Sequence, residues 1–184
     1  MRQLVLATKN LGKIAEFDRL LNQFASDIKV LGLSDYPDMP EVEETGKTLS
    51  ENARLKAKAI SHFTNLPALA DDSGLFIDAL NGQPGIYSAR FSGYEGTDSG
   101  QRDLANINKV LELLKDVPEP KRGAQFKAVV AFYKPNIDGS FLEKEELGVL
   151  AGEIISRAQG DGGFGYDPIF SPNDFDQTLA ELSP

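Results

Sequence analysis

The chain of 184 residues has no cysteine, no tryptophan and a single histidine, His62. Without cysteine there are no disulfides, no thiolate metal sites and no Cys nucleophile, and one histidine cannot build a His-rich zinc centre. No stretch approaches the roughly 20 apolar residues of a membrane span, and the N-terminus enters an apolar strand without the regions of a signal peptide. A soluble, cytoplasmic protein with no membrane partner is the expectation. Positive charge is also scarce, with 19 Lys and Arg against 28 Asp and Glu and a net charge of −9. A nucleic-acid polymer needs a basic face to neutralise its backbone, so the balance argues against that partner. A small phosphorylated ligand is compatible with it, because a few local lysines and a divalent cation offset an acidic whole.

What is present begins with Leu4-Val5-Leu6-Ala7 running into Thr8-Lys9-Asn10-Leu11-Gly12-Lys13, an apolar strand meeting the polar start of a helix. The first N–H groups of a helix have no intrahelical partner and lie at the positive end of its dipole, so an anion is stabilised there. Thr8 and Asn10 add neutral hydrogen-bonding groups, and Lys9 and Lys13 add charge suited to phosphate. The competing reading has Asn10 as a plain N-cap and the lysines as solvated surface.

The spacing of Leu11, Ile14, Phe17, Leu21 and Phe24 predicts an amphipathic helix, and Asp27 to Leu33 a second strand. Strand, helix and strand open an α/β fold with a right-handed crossover. Thr48-Leu49-Ser50-Glu51 has capping-box spacing and predicts a helix to Phe63 with Leu49, Ala53, Ala57, Ile60 and Phe63 facing inward. His62 lies near its end, where a charge complements the dipole. Leu66 to Ala70 reads as a strand stopping at Asp71-Asp72. Asp98 can cap a third helix with Leu104, Ile107, Leu111 and Leu114 on its stripe, and Gln125 to Tyr133 and Phe141 to Leu150 read as a hairpin around Asp138-Gly139.

Three groups carry the chemistry. Asp71 and Asp72, with Glu43 and Glu44 from the acidic loop Ser34 to Gly46, are the oxygen ligands that magnesium takes beside substrate phosphates. Neighbours on an extended chain face opposite ways, so one of each pair enters a site; an Asx-type turn and a solvated loop are the alternatives. Gly160-Asp161-Gly162-Gly163-Phe164-Gly165-Tyr166-Asp167-Pro168 joins backbone freedom to two rings able to stack on a nucleobase, with a plain turn as its alternative.

Those segments, together with Glu43-Glu44-Thr45-Gly46, Glu51-Asn52-Ala53, Ala70-Asp71-Asp72-Ser73-Gly74-Leu75 and Pro84-Gly85-Ile86-Tyr87-Ser88-Ala89-Arg90, occur in an order that resembles the inosine/xanthosine triphosphate pyrophosphatase family. The resemblance implies an α/β fold with an elongated central mixed sheet flanked by helices in two lobes around a cleft. It implies a homodimeric, Mg2+-dependent enzyme that converts ITP, dITP and XTP to the monophosphate and pyrophosphate. Carried over by position, Thr8, Lys9, Asn10, Leu11, Gly12 and Lys13 are similar to the triphosphate cradle. Asp72 resembles the proton acceptor and metal ligand, and Glu43 the second metal ligand, with Glu44 open beside it. Lys56, Ser73, Phe164, Gly165, Tyr166 and Asp167 resemble substrate contacts, and by its charge at a helix N-terminus Lys13 is expected to stabilise the charge that develops in the reaction.

The family continues into a helix whose Ser-His-Arg triplet helps read the purine, whereas this sequence reaches Leu182-Ser183-Pro184, itself a good helix opening. The expectation is a single domain over residues 1–184 lacking that C-terminal helix. The other functions compatible with the sequence are a nucleotide-binding module with little turnover and a Maf-like pyrophosphatase acting on pyrimidine nucleotides.

Overall fold

The structure, a computed structural model, describes residues 2–8, 11–25 and 27–182, with the side chains of residues 11–13, 16 and 20 outside that description. Among the described residues the strands are β1 (Arg2–Leu6), β2 (Ile28–Leu31), β3 (Ala68–Ile77), β4 (Gly123–Pro135), β5 (Phe141–Ile154) and β6 (Phe170–Pro172), and the α-helices are α1 (Leu11–Asn22), α2 (Leu49–Thr64) and α3 (Ser99–Leu114). The strands form one sheet in the order β2-β1-β3-β4-β5-β6. β1 runs parallel to β2, pairing Arg2 with Ile28 and Val5 with Leu31, and parallel to β3, pairing Val5 with Ala68. β5 and β6 are antiparallel, with Ile154 opposite Phe170. The sheet is therefore mixed, and the α/β class read from the sequence holds.

By internal contacts the chain divides into two compact units, Met1–Asp72 with Val129–Leu147, and Ser73–Ala128 with Gly148–Pro184. The first unit packs Val5, Leu31, Ile60 and Ala68 into a core. The second has a larger one that includes Leu75, Ile77, Val110, Leu114, Ile169 and Phe170. Among the described residues no helix is long and apolar enough to cross a membrane.

Local chemistry sets the helix ends. The Thr48 hydroxyl accepts from Glu51 N at 3.1 Å, while the Glu51 carboxylate accepts from Lys47 N at 2.6 Å, one residue further back than a capping box would place it. Asp98 caps α3 by accepting from Gln101 N at 2.9 Å. Three predicted core positions prove exposed. Phe24 is 86% exposed, because α1 ends at Asn22 and the turn closed by Ala25 N on Leu21 O takes Phe24 out of the helical period. Phe63 and Leu104 are about half exposed, since buried Asn52 and Asn106 occupy inward positions and turn the buried faces of α2 and α3 so that both apolar residues sit at the rim.

The expected stop at Asp71 is also corrected: β3 continues through Asp71-Asp72-Ser73-Gly74 to Ile77. The reason lies at Gly74, where an added Cβ would stand 2.3 Å from the Gly85 carbonyl oxygen and 3.1 Å from Ser88 Oγ. Only glycine lets the strand pass this close to the 3-10 turn Gly85–Arg90, a segment without clear period in the sequence, and Ser88 Oγ accepts from Leu75 N at 2.9 Å. Gly74→Ala is expected to destabilise the fold by about 1–3 kcal/mol, because the clashing atom is backbone and cannot swing aside. At roughly 2–4 °C per kcal/mol for a chain of this size, a thermal melt detects it. A melt unchanged from wild type would refute the tight approach. The β4–β5 hairpin turns as predicted, with Asn136 N donating to Ser140 O at 2.8 Å and Gly139 at φ +80°. His62 packs into an aromatic group there, its ring stacked on Phe141 at 5.1 Å between centroids and its Nε2 3.5 Å from the Tyr133 hydroxyl.

Candidate active site

In the first unit, two carboxylates from distant stretches meet one ammonium. Lys56 Nζ, on α2, donates to Asp72 Oδ1 at 3.1 Å and to Glu44 Oε1 at 3.0 Å. The Asp72 side chain is only 12% exposed and that of Lys56 19%, so the pair attracts more strongly than a solvated one would. The second Asp72 oxygen, Oδ2, accepts from Asn52 Nδ2 at 3.1 Å. Asn52 is fully buried, and its Oδ1 accepts from Gly46 N at 2.8 Å, which ties the end of the acidic loop to the same residue. Gly46 suits this approach, as a Cβ there would stand 2.5 Å from Asn52 Oδ1.

Burial pushes the Asp72 carboxyl above its ordinary range, and the Glu44 charge adds to that against the opposing pull of Lys56 and Asn52. Burial acts downward on Lys56, but the charges and hydrogen bonds of Asp72 and Glu44 outweigh it and hold the ammonium above its usual value. The result is a protonated lysine beside a carboxylate of enhanced basicity.

A cavity of about 730 Å³ adjoins this group, lined by Thr8, Tyr36, Glu44 and Lys56 among others. Thr8 is anchored by its main chain, its carbonyl accepting from Leu33 N at 2.9 Å. Lys9 and Asn10 lie outside the described residues. Leu11, Gly12 and Lys13 open α1, and their side chains lie outside the description. Both acidic-loop glutamates are exposed residues, and it is Glu44 whose carboxylate reaches Lys56. Among the described residues no group of three or more His, Cys, Asp or Glu is arranged to hold a metal ion. Two carboxylates converging on one cation are nevertheless the donor set magnesium takes when phosphates and water complete its shell, so Asp72 and Glu44 fit that ion.

The second unit holds a cavity of about 600 Å³, lined by Ser73, Arg102, Asp103, Asn106 and the Phe164 to Asp167 turn among others. Two carboxylates fix that turn through its main chain: Asp167 Oδ2 accepts from Phe164 N at 3.0 Å and Asp103 Oδ2 from Gly165 N at 2.9 Å. Gly163 and Gly165 adopt φ values of +70° and +60°, a region open to glycine. Tyr166 is buried, with its hydroxyl donating to Ser88 O at 2.8 Å, while Phe164 is 75% exposed. Asn106 completes the frame, accepting from Ser92 N at 2.7 Å and donating to the Ser88 and Ala89 carbonyls at 3.3 Å. Burial raises the Asp167 carboxyl, the Phe164 hydrogen bond opposes it, and the Asp103 charge adds to the rise. Burial and the same charge push the Tyr166 phenol up, so it stays a neutral donor.

The structure thus gathers Asp72, Lys56 and Thr8 in one unit and Ser73 with Phe164, Gly165, Tyr166 and Asp167 in the other. It adds Glu44, Asn52, Asp103 and Asn106, which the sequence reading left unassigned to these sites or open. Asn52 and Asn106 carried a signal: each is a polar residue beside the apolar stripe of its helix.

A model of the Ham1 family matches residues 4–184. A dITP/XTP pyrophosphatase of Oceanobacillus iheyensis is 48% identical over 185 residues, covering 100% of this chain and 88% of that protein. A solved Ham1 protein of Staphylococcus aureus superposes with a TM-score of 0.84 at 42% identity, covering 99% of this chain and 87% of the other. A HAM1 protein of Coxiella burnetii gives 0.86 at 41% identity, covering 100% and 88%.

Proposed function

The chain belongs to the Ham1 family, and from that premise we propose that it is a nucleoside triphosphate pyrophosphatase converting ITP, dITP and XTP to the monophosphate and pyrophosphate. The observation that carries the chemistry is the meeting of Asp72 and Glu44 on Lys56. Names of relatives at this identity and coverage support the substrate class.

In the proposed reaction water attacks the α-phosphorus, the bond from that phosphorus to the bridging oxygen breaks, and pyrophosphate leaves with the electron pair. Asp72 takes the proton of the water, a role its raised pKa favours. Asn52 and Lys56 each hold one Asp72 oxygen and so fix the direction of its remaining lone pairs. Lys13 and the N-terminus of α1, with Thr8, Lys9, Asn10, Leu11 and Gly12, would meet the phosphates and stabilise the charge that develops. Magnesium, held by Asp72 with Glu44 or the family-implied Glu43, would supply neutralisation of the polyphosphate when bound. The cavity of the second unit would take the base, with Phe164 stacking and Ser73 and the turn to Asp167 contacting the nucleoside. Homodimerisation and a cytoplasmic site of action are proposed on the same family grounds.

Incubation with ITP, XTP, dITP, dTTP and ATP in magnesium buffer, with separate assays for pyrophosphate and orthophosphate, tests the reading. Pyrophosphate from the first three is expected. Binding without release would favour a nucleotide-binding module, and turnover confined to dTTP a Maf-like enzyme.

A further inference from the structure

The cavity of the second unit contains a cationic donor that its frame does not use. Ser88, Asp103, Asn106, Tyr166 and Asp167 have polar atoms committed to holding the backbone around the cavity. Lys127 Nζ sits 4.8 Å above the Phe76 ring. Arg102, near the start of α3, differs from these. It lines the cavity, and its Nε is buried without any hydrogen-bond partner. The carboxylate nearest in sequence, Asp103, approaches that atom with Oδ1 only to 3.5 Å, an ion pair beyond good hydrogen-bond range. The Arg102 side chain is 42% exposed, so only Nε is closed off, and among the described residues the rest of the guanidinium is held by no strong protein acceptor at the cavity wall.

Resting on the reading of this cavity as the base site, we propose that Arg102 is a specificity-determining residue that donates to a keto oxygen of the bound purine. Guanidinium has five donors and no acceptor. A keto oxygen on the purine six-membered ring supplies an acceptor for the open part of the fork, with Nε kept on the Asp103 side. An exocyclic amino group at the same position presents only N–H, leaving two donors face to face with neither satisfied. A polar site of this kind rejects the wrong base more strongly than an apolar pocket does. Asp103 indexes the guanidinium to the ring-bearing turn, since Oδ1 faces Arg102 while Oδ2 holds Gly165 N. Donor and stacking platform are therefore registered to one carboxylate.

The test measures IMP and AMP binding by calorimetry, and kcat/KM for ITP, XTP and ATP, in wild type, Arg102→Leu and Arg102→Gln. Wild type is expected to prefer IMP. Arg102→Leu should narrow the IMP-to-AMP ratio by about tenfold or more, with the loss for ITP in KM rather than kcat. Arg102→Gln, whose amide offers an acceptor as well as donors, should recover AMP binding relative to IMP. A residue that merely supported the fold would weaken both nucleotides alike. No preference in wild type, or an unchanged ratio in both natively folded variants, overturns the assignment. Wild type that prefers IMP but releases no pyrophosphate from ITP refutes the pyrophosphatase reading, while a narrowed ratio in Arg102→Leu still supports Arg102.

Discussion

Asp72→Asn is expected to lower kcat for ITP by about 10²–10⁴-fold while nucleotide affinity changes by no more than about threefold, the signature of a group needed in the transition state. Wild-type kcat/KM should fall on the acid side through a pKa above the 3.8 of an ordinary aspartate, because burial holds this carboxyl up. The residual activity of the variant should lack that limb. Loss of fold is not the expected cause. A carboxyl whose folded-state pKa stands above its unfolded value binds its proton more tightly in the native state, so stability rises as pH falls through the folded value, and ionised Asp72 weakens the fold at neutral pH. Removing the charge should therefore leave the neutral-pH Tm intact. Near-normal turnover in the variant would remove Asp72 from the reaction.

Lys56→Met should lower kcat/KM by about 10²-fold, as loss of one preorganised donor commonly does. It should also move the acid limb further up, since Lys56 is the chief group pulling the Asp72 carboxyl down. Methionine keeps the apolar stem but leaves Glu44 and Asp72 without their shared counter-charge. The site is partly open, so salt tempers the repulsion and the Tm loss should be clearest at low ionic strength. Magnesium is expected to restore more of that Tm in the variant than it adds to wild type, because the vacated position lies between two carboxylates. An unmoved acid limb, together with equal magnesium response, would show that the group is not a cation site.

Much of this was legible because period and punctuation are local. The capping threonine at 48, the Asp-Gly hairpin and the parallel start of the sheet follow from residues that act on near neighbours. The misreadings have a common cause in tertiary contact. An acidic pair followed by Ser-Gly reads as the end of a strand until Gly74 is seen against Gly85, where passing close to another backbone keeps the strand extended. Which of Glu43 and Glu44 meets Lys56 was likewise not legible, because that contact joins Glu44 to a residue twelve positions further along. Asp103 was invisible for a similar reason: its partner, Gly165 N, is 62 residues away. The segment from Thr8 to Lys13 was read for its chemistry, and the roles of Lys9, Asn10 and Lys13 rest on that reading.

The glycine-rich turn is gripped by its peptide amides, through Asp103 and Asp167, and not by the ring of Phe164. Architecture and stacking are thereby uncoupled at Phe164. The exposed ring of Phe164 can be exchanged without unfastening the loop that presents it. Such a scaffold gives evolution, or a protein engineer, a place to alter which heterocycle is accepted while the hydrolytic apparatus of the other unit is left untouched.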